Sequence, residues 1–198
     1  MPSLKHLKQT KLILIGASTG GPGHIKKILA SLPSNFSASI VIAQHMGDDY
    51  IPSFIKQLNS SCKLKVIGIQ HEALLLPSHV YVSSLLSQIK LQDKHLIFTK
   101  CSSSENEYNP DINKLFISAS KLADSVSILG IILTGIGEDG AIGCKLLSTA
   151  GAECIAESET SAIVYGMPMQ ALKMNKNTKV MTLEQVIQRI NVFGEKDV

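Results

Sequence analysis

Short apolar segments alternate with amphipathic segments along most of the chain. Several of the apolar runs lack the polar alternation of a half-exposed strand, so they indicate strands that are covered on both faces. Between many of them, apolar residues recur at helical spacing. The runs rich in Ile, Val and Leu lie at residues 11–15, 39–44, 64–69, 79–83, 95–99, 127–134 and 152–156. The pattern predicts an α/β fold, doubly wound, with a mostly parallel sheet and helices on both faces.

Three amphipathic segments begin with signals that are typical of a helix N-terminus. The segment "PGHIKKILASL" has a proline suited to its first turn, and "DDYIPSFIKQL" has Asp48 or Asp49 as a predicted N-cap, followed by Pro52. In "NPDINKLFISASKLA", Asn109 precedes Pro110 in the same way. Small polar residues cap free backbone N–H groups, and proline fits the first helical turn. We therefore expect helices in all three segments.

The middle of the chain, residues 64–105, departs from this alternation. Three strand-like runs follow one another there with turns between them and without a convincing helical pattern. This arrangement predicts a hairpin or an antiparallel edge. The polar, aperiodic stretch at residues 101–109 is expected to be an exposed loop.

Composition bounds the class of protein. The 198 residues are 44% hydrophobic and 18% charged, and no apolar run is long enough to cross a bilayer. We expect one folded domain over residues 11–193, preceded by an extension at residues 1–10. That extension is basic but lacks the features of a secretory signal, so we expect a cytoplasmic location. We also expect a monomer.

Charge and cysteine content argue against a nucleic-acid-binding protein and against a protein stabilised by zinc or disulfides. The net charge of +3 is mild and the lysines are scattered, so nucleic-acid binding is not expected. The four cysteines form no C-x-x-C pair, so neither a zinc site nor a disulfide framework is predicted. No metal or organic cofactor is expected.

A glycine-rich turn follows the first predicted strand. The stretch "GASTGG" satisfies G-x-S-x-G with Ser18 at its centre, between a predicted strand and a predicted helix. A nucleophile elbow requires this context. The same residues also suit a tight turn in which Ser18 caps the helix, and the motif alone leaves both readings open.

Two other strand ends carry residues that can complete a hydrolytic site. His45 follows the second strand-like run, and Asp139 lies in the glycine-rich loop "ILTGIGEDG". Each one alone has a structural explanation, as a strand-end histidine or a helix cap. Loops at the carboxyl ends of parallel strands converge on one crevice, and a serine nucleophile needs a base that a carboxylate orients. The conjunction of Ser18, His45 and Asp139 therefore favours a serine hydrolase.

The same residues argue against the alternative of a nucleotide-binding protein. The loop is similar to that of short-chain dehydrogenases, but none of the four tyrosines is followed four residues later by the required lysine. The second strand ends in Gln44 and His45 rather than in an acidic residue for a ribose, and there is no Walker loop. We therefore favour a hydrolase over a dehydrogenase-like nucleotide binder.

His24, on the first predicted helix, is expected at the surface.

At residues 11–190 the chain closely resembles the catalytic domain of the chemotaxis protein-glutamate methylesterase (CheB) family. The stretches that carry the resemblance are "IGASTGG", "QHM", "ILTGIGEDGAIG" and "AGAECIAESETSAIVYGMP". The resemblance implies hydrolysis of glutamate methyl esters on the cytoplasmic helices of chemoreceptors, often with deamidation of receptor glutamines. It places the nucleophile on Ser18, the base on His45 and the orienting acid on Asp139.

The resemblance also places Thr19 and Ile136 beside the reacting centre, where their backbone N–H groups can hold an oxyanion. Many members have methionine at the position of Ile136, and an aspartate where this chain has Asn113. Typical members carry an N-terminal receiver domain, whereas about ten residues precede the first predicted strand here. A non-enzymatic receptor-binding adaptor remains the alternative function.

Overall fold

The structure is a computed structural model that describes residues 10–101 and 109–195. Its centre is a seven-stranded sheet in which every adjacent pair of strands is parallel. Its strands, in chain order, are β1 (Lys11–Ala17), β2 (Ser39–Gln44), β3 (Lys65–Ile69), β5 (His79–Ser83), β8 (Ser127–Ile132), β9 (Glu153–Glu157) and β10 (Lys179–Met181). Their spatial order across the sheet is β10-β9-β8-β1-β2-β5-β3.

A second, smaller sheet is antiparallel and contains β4 (Glu72–Leu74), β6 (Ser87–Gln92) and β7 (His95–Lys100). β6 and β7 form a hairpin whose two turn residues, Asp93 and Lys94, both have positive φ. This geometry matches the right-handed twist of paired strands. The predicted hairpin is confirmed, but it does not lie on an edge of the main sheet. The strand-like runs at 64–69 and 79–83 belong instead to the parallel sheet as β3 and β5.

Six α-helices cover both faces of the main sheet. They are α1 (Gly21–Ala30), α2 (Ile51–Asn59), α3 (Ile112–Ser120), α4 (Ala141–Thr149), α5 (Met167–Met174) and α6 (Leu183–Phe193). Ile13 and Ile15 of β1 pack in a cluster with α1, α2 and α6, whereas Leu12 and Leu14 pack with α3, α4, α5 and the small sheet. The predicted doubly wound fold is thus confirmed. None of these helices, which are those of the described residues, has the length and apolarity needed to span a membrane.

Two predicted helix caps are wrong. Asp48 and Asp49 lie in a short 3₁₀ turn that precedes α2, and neither side chain caps the helix, which begins only at Ile51. α3 is capped by Asp111, whose carboxylate accepts the backbone N–H of Lys114 at 2.7 Å, rather than by Asn109. Asp111 immediately precedes the first helical residue, and therefore its side chain can reach the free N–H groups.

The order of the strands creates a switch point at the middle of the sheet. β1 lies between β2, to which the chain proceeds first, and β8, to which it returns later. In such sheets the loops that leave the carboxyl ends of the strands on either side of the switch point diverge and open a crevice. The loops that carry Ser18, His45 and Asp139 follow β1, β2 and β8 and therefore meet at this crevice.

Two glycines provide a matched test of the packing around β8. A Cβ at Gly130 would lie 2.6 Å from Leu147 Cδ2, whereas a Cβ at Gly23, in α1, would meet nothing within 4 Å. We expect Gly130→Ala to lower the free energy of unfolding by about 1–3 kcal/mol through overpacking. Gly23→Ala should raise it by up to about 1 kcal/mol, because alanine reduces the entropy of the unfolded chain. Urea denaturation measures both, and equal effects would contradict the packing described for β8.

Candidate active site

Ser18 lies in the tight turn that joins β1 to α1. Its backbone N–H donates to the carbonyl of Thr134 at 3.0 Å, and its own carbonyl accepts the N–H of Gly21 at 2.9 Å. Gly20 precedes α1 with φ of 84°, and a Cβ there would lie 2.7 Å from Ile163 Cβ. Glycine is therefore required for both conformation and space. The turn presents Ser18 at the N-terminal end of a helix, as a nucleophile elbow does.

His45 follows β2 immediately and lies beside the Ser18 turn. β1 and β2 pair with Ala17 opposite Gln44, and the backbone N–H of His45 donates to the carbonyl of Ala17 at 2.9 Å. The ring Nε2 lies 2.8 Å from Oδ2 of Asp139. His45 is therefore linked by its backbone to β1 and by its ring to the loop that follows β8.

The Asp139 carboxylate is buried and is held by the first two residues of α3. Oδ2 accepts the backbone N–H of Ile112 at 2.8 Å, and Oδ1 accepts that of Asn113 at 2.9 Å. The side chain has no solvent exposure. Free N–H groups at a helix N-terminus, together with the helix dipole, stabilise a negative charge at that position. The end of α3 thus supplies two hydrogen bonds to a buried carboxylate next to the imidazole.

This contact also determines which ring nitrogen of His45 can act as a base. A carboxylate only accepts hydrogen bonds, so Nε2 carries the proton that is donated to Asp139. In the neutral ring Nδ1 is then the unprotonated nitrogen. Hydrogen bonds between a catalytic base and its nucleophile are often loose before substrate binds.

Thr19 and Ile136 lie at the exposed rim of the crevice. Thr19 follows Ser18, and Ile136 follows Gly135, where a Cβ would lie 2.7 Å from Ser18 Cβ. Across residues 10–101 and 109–195, the structure gives neither backbone N–H of these two residues an acceptor. Two N–H groups close to Ser18 are therefore available to a ligand within the described residues.

The N-terminus of α3 is the part of the site that the sequence reasoning missed. Asp111 caps this helix, and burial, with a further contribution from the charge of Asp139, raises the pKa of the Asp111 carboxyl, while the backbone N–H of Lys114 opposes the rise. Asn113 supplies a second link, because its Oδ1 accepts the backbone N–H of Gly143 in α4 at 2.8 Å. The capping signal was readable in "PDIN", but its contact with Asp139, 27 residues away, was not.

A buried ionisable pair, His24 and Glu157, stabilises the loop that contacts the Ser18 turn. His24 was expected at the surface, but it is only 5% exposed, and its Nδ1 lies 3.1 Å from Oε1 of Glu157 at the end of β9. The prediction failed because α1 packs against this strand end. Glu157 also accepts the backbone N–H of Thr134, at 2.9 Å. Since the carbonyl of Thr134 accepts the N–H of Ser18, the pair stabilises the loop against which the turn rests.

Potential metal ligands do not cluster in the part of the chain that the structure describes. No group of three or more His, Cys, Asp or Glu side chains is placed there to hold a metal ion. The crevice brings together a hydroxyl, an imidazole and a buried carboxylate from Ser18, His45 and Asp139, the three groups that serine hydrolases use.

Comparisons with known proteins identify a family and a matching solved structure. The family model described as CheB methylesterase matches residues 13–190. A protein from Salmonella typhi is 36% identical over an alignment of 194 residues that covers 93% of this chain and 53% of that protein. A protein from Paraburkholderia xenovorans is 35% identical over an alignment of 187 residues that covers 93% of this chain and 51% of that protein. Both are named protein-glutamate methylesterase/protein-glutamine glutaminase.

The CheB methylesterase catalytic domain of Thermotoga maritima has the same fold. Its crystal structure superposes with a TM-score of 0.85 at 27% sequence identity, and the match covers 92% of this chain and 98% of that domain. The chain spans about half the length of the curated relatives that it matches.

The helix contacts of Asp139 predict a measurable cost for losing its charge. Asn at this position has one acceptor oxygen, so one of the N–H groups of Ile112 and Asn113 would lose its acceptor. We expect Asp139→Asn to lower the free energy of unfolding at neutral pH by about 1–3 kcal/mol, the usual cost of an unsatisfied buried donor. Urea denaturation measures this, with Asp48→Asn at an exposed position as the control. If both variants unfold like the parent protein, Asp139 does not hold the end of α3.

Proposed function

Because the chain belongs to the CheB methylesterase family, we propose that it is a serine hydrolase that removes methyl esters from protein glutamates and releases methanol. The observation that carries this proposal is the Asp139 carboxylate, which bonds His45 Nε2 and the N-terminus of α3 while Ser18 lies on the adjacent strand end. The names of the relatives, protein-glutamate methylesterase/protein-glutamine glutaminase, support the same chemistry.

The proposed reaction begins with attack of Ser18 Oγ on the ester carbonyl carbon. His45 Nδ1 accepts the hydroxyl proton as the new C–O bond forms, because a neutral serine is a poor nucleophile. Asp139 holds the ring in the required tautomer and stabilises the imidazolium that results. Nδ1 is the accepting atom here, since Nε2 is engaged by Asp139.

The developing oxyanion is proposed to lie between the backbone N–H groups of Thr19 and Ile136. These two groups have no acceptor within the described residues; Thr19 follows Ser18, and Ile136 follows Gly135, which lies against the Ser18 side chain. Donors that are held in place before the reaction stabilise the transition state without reorganisation. The N-terminal end of α1, directly after the Ser18 turn, adds a positive potential.

Collapse of the tetrahedral intermediate breaks the bond to the methoxy group. The imidazolium of His45 gives its proton to this leaving group, so that methanol departs and an acyl ester of Ser18 remains. Water then attacks the acyl ester with His45 again as base, which releases the substrate protein with a glutamate carboxylate and regenerates the Ser18 hydroxyl. The same steps applied to a glutamine side chain release ammonia, which is the proposed deamidation activity. Only water is consumed, and neither step requires a metal or an organic cofactor.

The proposed substrates are the cytoplasmic helices of methyl-accepting chemoreceptors, and the proposed location is the cytoplasm. The resemblance to the chemotaxis methylesterases and the protein-glutamate substrate in the names of the relatives support this partner. Ile136 and Ile163, which border the Ser18 turn, are 63% and 67% exposed. An apolar rim of this kind suits a protein surface better than a small polar metabolite. We propose that the residue 11–193 domain acts as a monomer.

Methanol release from methylated receptor membranes tests the proposal. Ser18→Ala should abolish most of the release, and Asp139→Asn should reduce it by about two to four orders of magnitude, because asparagine favours the wrong imidazole tautomer and cannot stabilise its charge.

Asp49→Asn is the matched control, because Asp49 is exposed and lies near His45 in the sequence but outside its hydrogen bonds. Its release should stay within a few-fold of the parent protein. If Ser18→Ala releases methanol at the rate of the parent protein, the esterase mechanism is contradicted. Receptor binding without any release by the parent protein would favour a non-enzymatic adaptor.

A further inference from the structure

The side-chain amide of Gln44 connects the nucleophile turn to the loop that carries the base. Gln44 is the last residue of β2 and is 1% exposed. Its Nε2 donates to the backbone carbonyl of Ser18 at 2.9 Å and to that of His45 at 2.9 Å. A primary amide has two N–H donors, and both are used here. One buried side chain thus fixes two catalytic loops relative to each other.

The hydrogen bond to Ser18 determines where the N–H of Thr19 points. The carbonyl of Ser18 and the N–H of Thr19 belong to one peptide unit, which is planar, so the two groups point in opposite directions. The Ser18 oxygen accepts from Gly21 N at 2.9 Å and from Gln44 Nε2 at 2.9 Å, which uses both of its lone pairs. The peptide plane is therefore fixed from the carbonyl side, and the N–H of Thr19 points away from Gln44.

The orientation of the Gln44 amide follows from its surroundings. Two carbonyl oxygens can only accept, so the nitrogen must face them, and Oε1 then lies toward the start of α1. A Cβ at Gly21 would be 2.2 Å from Oε1, so the amide fits only because position 21 is glycine. Oε1 has no partner among the described residues. The two donated bonds are thus the polar contacts that fix Gln44.

We propose that Gln44 is a positioning residue for the hydrolysis reaction: its amide holds the Ser18–Thr19 peptide so that the Thr19 N–H is aimed at the oxyanion, and holds His45 beside it. The inference rests on the proposed function for its kinetic part. Hydrogen bonds to a carbonyl also polarise the peptide and strengthen its N–H as a donor. Gln44 touches neither substrate nor the reacting atoms, so it acts only through Thr19 and His45.

Gln44→Met removes both donors and keeps a side chain of similar length. We expect kcat for methyl-ester hydrolysis to fall about 10–100-fold, since small misplacements of catalytic groups have effects of this size. KM should stay within about threefold, because ground-state binding does not depend on the oxyanion donor. Gln188→Met, on the exposed face of α6, is the matched control and should keep the kcat of the parent protein.

Gln44→Glu separates hydrogen-bond donation from packing. The ionised carboxylate cannot donate to the two carbonyls, whereas the protonated acid has one O–H to donate, and burial favours the protonated form. The ratio of its kcat to that of the parent protein at the same pH should therefore rise at least about threefold from pH 8 to pH 6. A ratio that does not change with pH would overturn the donor role. Should Gln44→Met fail to fold, this pH series decides.

The amide signal of Thr19 in ¹H–¹⁵N NMR spectra gives a readout that does not depend on activity. Gln44→Met removes the hydrogen bond to the Ser18 carbonyl, so the Thr19 amide proton should shift upfield in this variant. It should stay unchanged in Gln188→Met. An unshifted signal together with a parent-like kcat would overturn the inference. If the parent protein itself releases no methanol, the proposed function fails, and the Thr19 signal alone then decides whether Gln44 fixes this peptide.

Discussion

One buried carboxylate links the fold to the chemistry. Asp139 bonds His45 Nε2 and the backbone N–H groups of Ile112 and Asn113, and its side chain is closed off from solvent. An unpaired buried charge is costly, so this arrangement requires the N-terminus of α3 and the imidazole together. The positions of α3, of the loop after β8 and of His45 therefore depend on one another.

The centre of the sheet supplies the space for this contact. A Cβ at Gly16, near the end of β1, would lie 2.5 Å from Ile112 Cγ2, so a glycine there allows the first residue of α3 to approach the strand. The carbonyl of Thr134 accepts the backbone N–H of Ser18, and the carboxylate of Glu157 accepts the backbone N–H of Thr134. The Ser18 turn is thus held by Gln44 of β2 and by Thr134 after β8, and Glu157 of β9 in turn holds Thr134.

Much of this arrangement could be predicted from the sequence, because strand ends and glycine-rich turns are local signals. The apolar runs located the central strands, and the G-x-S-x-G turn with His45 and Asp139 at neighbouring strand ends indicated one crevice. The end of α3 could not be found, because the contact of Ile112 with Asp139 is a tertiary one. For the same reason His24 was misplaced: nothing near it in the sequence shows the carboxylate of Glu157 that binds it.

In the proposed mechanism, Asp139 holds the His45 ring through Nε2, and Nδ1 acts as the base. Long-range ¹H–¹⁵N correlation spectra of the imidazole, recorded where the ring is neutral, distinguish the two tautomers directly. We expect Nε2 to carry the proton and Nδ1 to be unprotonated, because Nε2 donates to the carboxylate. A ring protonated at Nδ1 would contradict it, since Nδ1 could then accept no proton from Ser18.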